Sequence, residues 1–200
     1  MKNSGPIGVF DSGYGGLTIL SEFQALLPEY DYLYLGDNAR APYGNRSYDV
    51  VYDFTLEAIK FLWDKGCRMV IVACNTSSAK ALRTIQQRDL KNMDSDFRVL
   101  GVIRPTTEII GSMSETQHVG VLGTEGTVNS NSYGIELKKF SPEIVLTQQS
   151  CPMWVPLIES NKHSSVSGKA IIKEDFESLI SKDPLIDTVL LACTHYPIIA

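Results

Sequence analysis

Arg68-Met69-Val70-Ile71-Val72-Ala73-Cys74-Asn75-Thr76 and Asp187-Thr188-Val189-Leu190-Leu191-Ala192-Cys193-Thr194-His195 decide how this chain reads. Each is a short β-branched or aliphatic run that stops at Ala-Cys and passes at once into small polar residues. Bounded apolar runs of this length are what strands buried on both faces look like, as in a parallel sheet. Each cysteine is therefore expected at the carboxyl end of a core strand, just before a helix amino-terminus. In open α/β sheets that edge is where ligands bind. A single strand-end cysteine reads most simply as a small buried hydrophobe. The repeated setting, with Asn75-Thr76 after one and Thr194-His195 after the other, points instead to two thiols facing one pocket.

Around these stretches the chain alternates strand and helix. Ile7-Gly8-Val9-Phe10 reads as a buried strand ending in Asp11-Ser12-Gly13-Tyr14-Gly15-Gly16, where glycines let backbone N–H groups approach a ligand. The dinucleotide pattern G-x-G-x-x-G fails there, because the sixth position from Gly13 is Thr18. Asp11 and Ser12 are equally readable as caps of a tight turn and as ligand contacts. A helix is expected over 17–27, stopped by Pro28. Tyr32-Leu33-Tyr34-Leu35 is the next strand, followed by a loop through Pro42-Tyr43-Gly44. Ser47 can cap a helix with an apolar stripe of Val51, Phe54, Ala58, Phe61 and Leu62, closed by Gly66.

After the first cysteine strand a helix is expected over 77–87, then a polar stretch, 91–96, that reads as a domain crossing. Beyond it the pattern restarts, with strands at Val99-Leu100-Gly101-Val102, Val119-Gly120-Val121-Leu122 and Ile144-Val145-Leu146-Thr147. Helices are expected from Pro105 and over 170–180, with 162–168 mobile. A lone Glu159, after the proline-broken 151–158, is ordinarily a solvated residue. The expected fold class is α/β: two similar parallel-sheet α/β domains with the active site in the cleft between them. The domains are set at 1–96, completed by a carboxyl-terminal segment absent here, and 97–200.

Composition excludes several classes. The chain has 200 residues, 44% hydrophobic and 20% charged, which is ordinary for a globular protein with a sizeable core. Its net charge is −5, and no basic run exceeds Lys138-Lys139, so no nucleic-acid partner is expected. No apolar run approaches membrane-spanning length and no secretory signal opens the sequence, so no membrane partner is expected. The four cysteines lack C-x-x-C spacing, so no metal site is read. Together these favour a cytoplasmic protein with reduced thiols.

The ordered blocks 11–16, Pro42-Tyr43-Gly44, Ala73-Cys74-Asn75-Thr76, 124–127, Cys151-Pro152 and Cys193-Thr194-His195-Tyr196-Pro197 resemble the glutamate racemases of the aspartate/glutamate racemase superfamily. The likeness runs from Ile7 to Ile198. It implies two α/β domains, no cofactor, glutamate as the small-molecule substrate, and supply of D-glutamate for peptidoglycan. The sequence is silent on oligomeric state and leaves a homodimer open. By this resemblance Cys74 and Cys193 are the acid/base thiols, with His195 assisting Cys193 and Glu159 a weaker candidate for that task. Asp11, Ser12, Pro42, Tyr43, Gly44, Asn75, Thr76, Thr127, Thr194 and His195 match substrate-contact positions, and Asp11 is also counted among the catalytic groups.

The chemistry fits the residue types. Racemising an amino acid removes the α-hydrogen from one face and returns a proton to the other. Two thiols on opposite sides can do this without either moving, one as thiolate and one as thiol. Free cysteine titrates near ~8.5, and a helix amino-terminus or neighbouring cation is expected to lower that value for both cysteines. No strand-adjacent lysine motif for pyridoxal phosphate stands out, so backbone donors must stabilise the carbanion. Three alternatives stay open: another amino acid as substrate, a one-thiol decarboxylase relative, and a non-catalytic binding or regulatory relative.

Overall fold

A computed structural model describes residues 5–93 and 96–200, apart from the side chain of Asn92. Asp94 and Ser95, within the expected crossing, lie outside the described residues. The chain forms two compact units, Met1–Val102 and Ile103–Ala200.

The first unit runs β1 (Ile7–Asp11), α1 (Leu17–Leu26), β2 (Tyr32–Gly36), α2 (Tyr48–Asp64), β3 (Met69–Val72), α3 (Asn75–Lys80), α4 (Leu82–Thr84) and β4 (Arg98–Gly101). The single helix expected over 77–87 is split into α3 and α4 and ends in a π-helical turn, Ile85–Asp89, which a 3-10 turn, Leu90–Asn92, follows. All strands are parallel, in the order β2-β1-β3-β4. Val9 and Phe10 of β1, and Val70 and Val72 of β3, are fully buried, as continuous apolar runs require. Ser47 Oγ caps α2 by accepting the Val50 N–H at 3.4 Å. Gly66 ends that helix at φ +91, a conformation L side chains rarely adopt. The buried face of α2 is Val51, Tyr52, Thr55, Ala58, Ile59 and Leu62. Phe61 falls outside it, 48% exposed, with the Lys65 ammonium over its ring.

The strand at residues 99–102 was expected to open the second domain. Its register instead sets Val70 against Val99 and Ile71 against Leu100, so it completes the first sheet. The division therefore falls after Val102 and not after residue 96. Strand pairing joins residues distant in sequence, and no local pattern in the polar stretch reports it.

The second unit runs α5 (Ile103–Ile110), β5 (His118–Gly123), α6 (Glu125–Ser130), α7 (Ser132–Phe140), β6 (Val145–Ser150), α8 (Trp154–Glu159), α9 (Val166–Lys182) and β7 (Thr188–Ala192). A 3-10 turn, Tyr196–Ile199, follows β7. The strands are again parallel, in the order β6-β5-β7. The segment expected to be mobile ends in an ordered helix start, where Ser165 Oγ accepts the Gly168 N–H at 3.0 Å. Among the described residues no helix is long and apolar enough to cross a membrane.

Both sheets place their first strand centrally, its two chain successors on opposite sides. This reversal of strand order creates a crevice at the carboxyl ends of β1 and β3 in one unit, and of β5 and β7 in the other. Ser12, Thr124 and Cys193 directly follow β1, β5 and β7, and Cys74 follows β3 after Ala73.

Candidate active site

In the first unit the chain leaves β1 at Asp11, a fully buried carboxylate. Its Oδ2 accepts the N–H groups of Gly13 and Gly16, each at 3.1 Å, and so holds the strand-to-helix turn. A Cβ on Gly16 would stand 2.5 Å from the Asp11 Cβ, which explains glycine there. The Tyr34 hydroxyl donates to the Gly13 carbonyl at 2.7 Å and fixes the same turn from β2. Of the two readings open for Asp11, the turn-closing one is thus met.

Cys74 is the N-cap of α3: its sulfur accepts the Ser77 N–H at 3.4 Å. Its S–H donates to Ser12 Oγ at 3.4 Å, joining the two strand ends. Asn75 and Thr76 are buried in the first turn that follows. The helix amino-terminus was expected to lower the thiol's pKa. Here the Cys74 thiol is instead pushed up, first by burial and then by the Asp11 carboxylate; hydrogen bonds with Ser12 and Ser77 oppose this without winning. The helix signal is local and legible, whereas desolvation depends on what packs around the sulfur.

The Pro42-Tyr43-Gly44 loop is braced by side chains the sequence reading did not single out. The Tyr43 hydroxyl donates to Asp37 Oδ2 at 2.5 Å, and Arg40 Nε donates to the same oxygen at 2.6 Å. The Arg40 guanidinium lies 4.0 Å over the Phe54 ring, which also packs on Tyr43. Arg46 donates to the Pro42 and Arg40 carbonyls at 3.2 and 2.8 Å. Pro42 is exposed and the Tyr43 ring is buried, so what Tyr43 can offer a ligand is its backbone. Burial and Asp37 keep the Tyr43 phenol neutral by pushing its pKa up.

In the second unit Cys193 follows β7 and is 7% exposed. No α-helix starts behind it, contrary to expectation; the chain makes the 3-10 turn at Tyr196–Ile199, with a proline inside it. The chemical neighbour of Cys193 is His195. Its Nδ1 lies 3.9 Å from the Cys193 sulfur, and its Nε2 lies 3.1 Å from Glu159 Oε1 at the end of α8. Glu159, a solvated residue on sequence grounds, is therefore the backing group of that imidazole. When Nε2–H donates to Glu159, Nδ1 is left as an acceptor facing the thiol.

Thr127 is fully buried in the first turn of α6, with its N–H donating to Thr124 Oγ1 at 3.3 Å. The register of Gly123 with Ala192 brings this turn beside Cys193 and Thr194. Tyr133 is also buried here, its phenol pushed up by burial and then by its nearness to Cys193. The Tyr196 hydroxyl donates to the Cys151 carbonyl at 3.0 Å and its ring packs on Trp154, so α8 and the Cys193 turn are tied together. Ser77, Tyr34, Asp37 and Arg40 carried no sequence signal beyond ordinary polarity; their roles come from pairing across the sheet and from loop closure.

The sequence profile described as Asp/Glu/Hydantoin racemase matches residues 18–200. A curated glutamate racemase of Enterococcus faecalis is 41% identical over 199 residues, 100% of this chain and 70% of that protein. The crystal structure of a glutamate racemase isoform from Bacillus anthracis superposes with a TM-score of 0.88 at 35% identity, covering 97% of this chain and 70% of that one. The glutamate racemase of Francisella tularensis, in complex with D-glutamate, gives 0.86 at 35% identity over 98% of this chain and 71% of that one. With the likeness spanning nearly every residue, in sequence and in fold, the chain belongs to the Asp/Glu/Hydantoin racemase family and is an amino-acid racemase.

Proposed function

We propose that this chain interconverts L- and D-glutamate without a cofactor, using Cys74 and Cys193 as two proton-transfer groups from its two domains. The observation that supports this most is the matched setting of the thiols. In each unit a cysteine stands at the carboxyl end of a strand flanking the reversal of strand order, one against Ser12 and the Ser77 N–H, the other against the His195–Glu159 pair. Glutamate as substrate draws on the relatives' names and on the D-glutamate of the Francisella tularensis complex.

In this mechanism one cysteine, as thiolate, takes the α-proton and becomes a thiol. The electron pair of the broken C–H bond moves into the α-carboxylate, where backbone N–H donors stabilise it. The other thiol then delivers its proton to the opposite face, the pair re-forms a C–H bond, and that cysteine is left as thiolate. The reverse direction exchanges the roles. His195 Nδ1 takes the Cys193 proton and returns it, while Glu159 holds the imidazole in the needed tautomer. Burial and Asp11 favour Cys74 as the resting thiol, and a bound ammonium group supplies the cation that offsets them.

Asp11, Ser12, Asn75, Thr76, Thr127, Thr194 and the backbone of residues 42–44 form the substrate contacts. The product, D-glutamate, feeds peptidoglycan synthesis in the cytoplasm. The test is Cys74→Ala and Cys193→Ala, each assayed for interconversion with circular dichroism as the control for folding. Each variant should lose turnover by at least about a thousandfold while keeping the parental spectrum, in line with loss of a proton-transfer group. Racemisation near the parental rate in either variant would refute the two-thiol assignment. Faster turnover of aspartate or alanine than of glutamate would refute the substrate.

A further inference from the structure

Ser77 is fully buried in the first turn of α3. Its N–H donates to the Cys74 sulfur at 3.4 Å, yet its hydroxyl has no hydrogen-bond partner among the described residues. Other buried hydroxyls of this unit are satisfied. Ser78 donates to the Val72 carbonyl at 2.9 Å and Thr55 to the Val51 carbonyl at 2.6 Å. A buried hydroxyl left unpaired is a standing cost to the fold and calls for an explanation.

The explanation lies in how the needs of the sulfur change. As a thiol, Cys74 gives its proton to Ser12 Oγ and receives the Ser77 N–H. As a thiolate it has no proton to give and can accept further donors. We infer that Ser77 is a positioning residue for proton transfer, its hydroxyl held in reserve to donate to the Cys74 thiolate once the proton has left. This rests on the assignment of Cys74 as a proton-transfer group in the proposed function. The charged and titratable groups facing this sulfur are Asp11 from β1, Tyr34 from β2 and Tyr43 from the loop after β2. Asp11 opposes the thiolate, and burial keeps both phenols neutral, so the anion depends on hydrogen-bond donors. The Ser77 N–H already acts on the sulfur in the direction the inference needs, pulling the Cys74 pKa down.

The experiment replaces Ser77 with Ala and follows carbamidomethylation of Cys74 by iodoacetamide against pH, resolved by peptide mass spectrometry. The reactive limb should move up by about one pH unit, the size of a lost hydrogen bond to a charged acceptor. The melting temperature should stay level or rise, because an unpaired buried group is gone. In the racemisation assay kcat at pH 7 should fall about tenfold and recover as the pH is raised. An unmoved limb, or a limb that moves down, overturns the inference; so does a lowered melting temperature with an unmoved limb. Ser77→Gly serves as a second variant with the same expected direction of shift. Alkylation needs no turnover, so this result stands apart from the fate of Cys74→Ala in the racemisation assay.

Discussion

His195 Nε2 lies 3.1 Å from Glu159 Oε1, joining residues 36 apart in sequence. The contact links the end of α8 to the turn that carries Cys193, and its other nitrogen faces the thiol at 3.9 Å. Carboxylate, imidazole and thiol thus form one line within a single unit. Among the described residues the first unit has no counterpart to this line: its thiol is flanked by serines, a backbone N–H and a repelling carboxylate. In the proposed mechanism the two half-reactions draw on different chemistry, and substitutions should separate them.

Glu159→Gln tests the backing group. The amide keeps the size of the side chain but replaces a charged acceptor by a neutral one. Losing one such interaction should lower kcat by about tenfold. The fold should be intact, since the Glu159 side chain is 38% exposed. Steady-state kinetics in both directions check this. An unchanged kcat would mean that the imidazole needs no carboxylate.

Ser12→Ala and Asp11→Asn should move the Cys74 thiol in opposite directions. Ser12 stabilises the thiolate, so its loss raises the pKa further; Asp11 repels the thiolate, so its neutralisation lowers it. Asparagine retains an oxygen that can accept the Gly13 and Gly16 amides, so the turn should hold. The pH dependence of Cys74 alkylation reads both shifts. Shifts of the same sign would contradict this electrostatic account.

Asp187 anchors the loop before β5. It accepts from Ser114 Oγ at 2.6 Å and from the Glu115 and Thr116 N–H groups at 2.7 and 2.8 Å. These donors hold its carboxyl well below the ordinary carboxylate range. A carboxylate with a lowered folded-state pKa contributes stability above its unfolded value of about 4 and loses it as the pH falls further. Asp187→Asn should therefore melt below the parent at pH 7, with the gap closing below about pH 4. Calorimetric melts from pH 7 to pH 3 would show this, and a gap constant with pH would contradict it.

Much of the fold was legible because its signals are local. The runs ending at Cys74 and Cys193 are continuous and apolar, and the β3 and β7 strands lie where those runs stand. Ser47 and Gly66 bound α2 as their chemistry dictates. What was not legible depends on distant partners. The strand at 99–102 joins the first sheet through pairing with β3, which no local pattern encodes. Burial overrode the helix terminus at Cys74, and the surroundings that bury it come from several elements. The resemblance named Glu159 as a candidate, but the residues alone read it as solvated, and its contact with His195 comes from the packing of α8 on the Cys193 turn; the unpaired Ser77 hydroxyl is invisible without side-chain positions.

The central claim is that separate groups remove and return the α-proton. The direct measurement is the isotopic content of the first product formed from protiated D-glutamate in heavy water. Two thiols predict L-glutamate carrying deuterium at the α-carbon from the first turnovers, while unreacted D-glutamate stays protiated, because the returned proton comes from a group that never held the abstracted one. L-glutamate that retains the substrate's own protium would mean that a single base carries the proton from face to face, and would contradict the account.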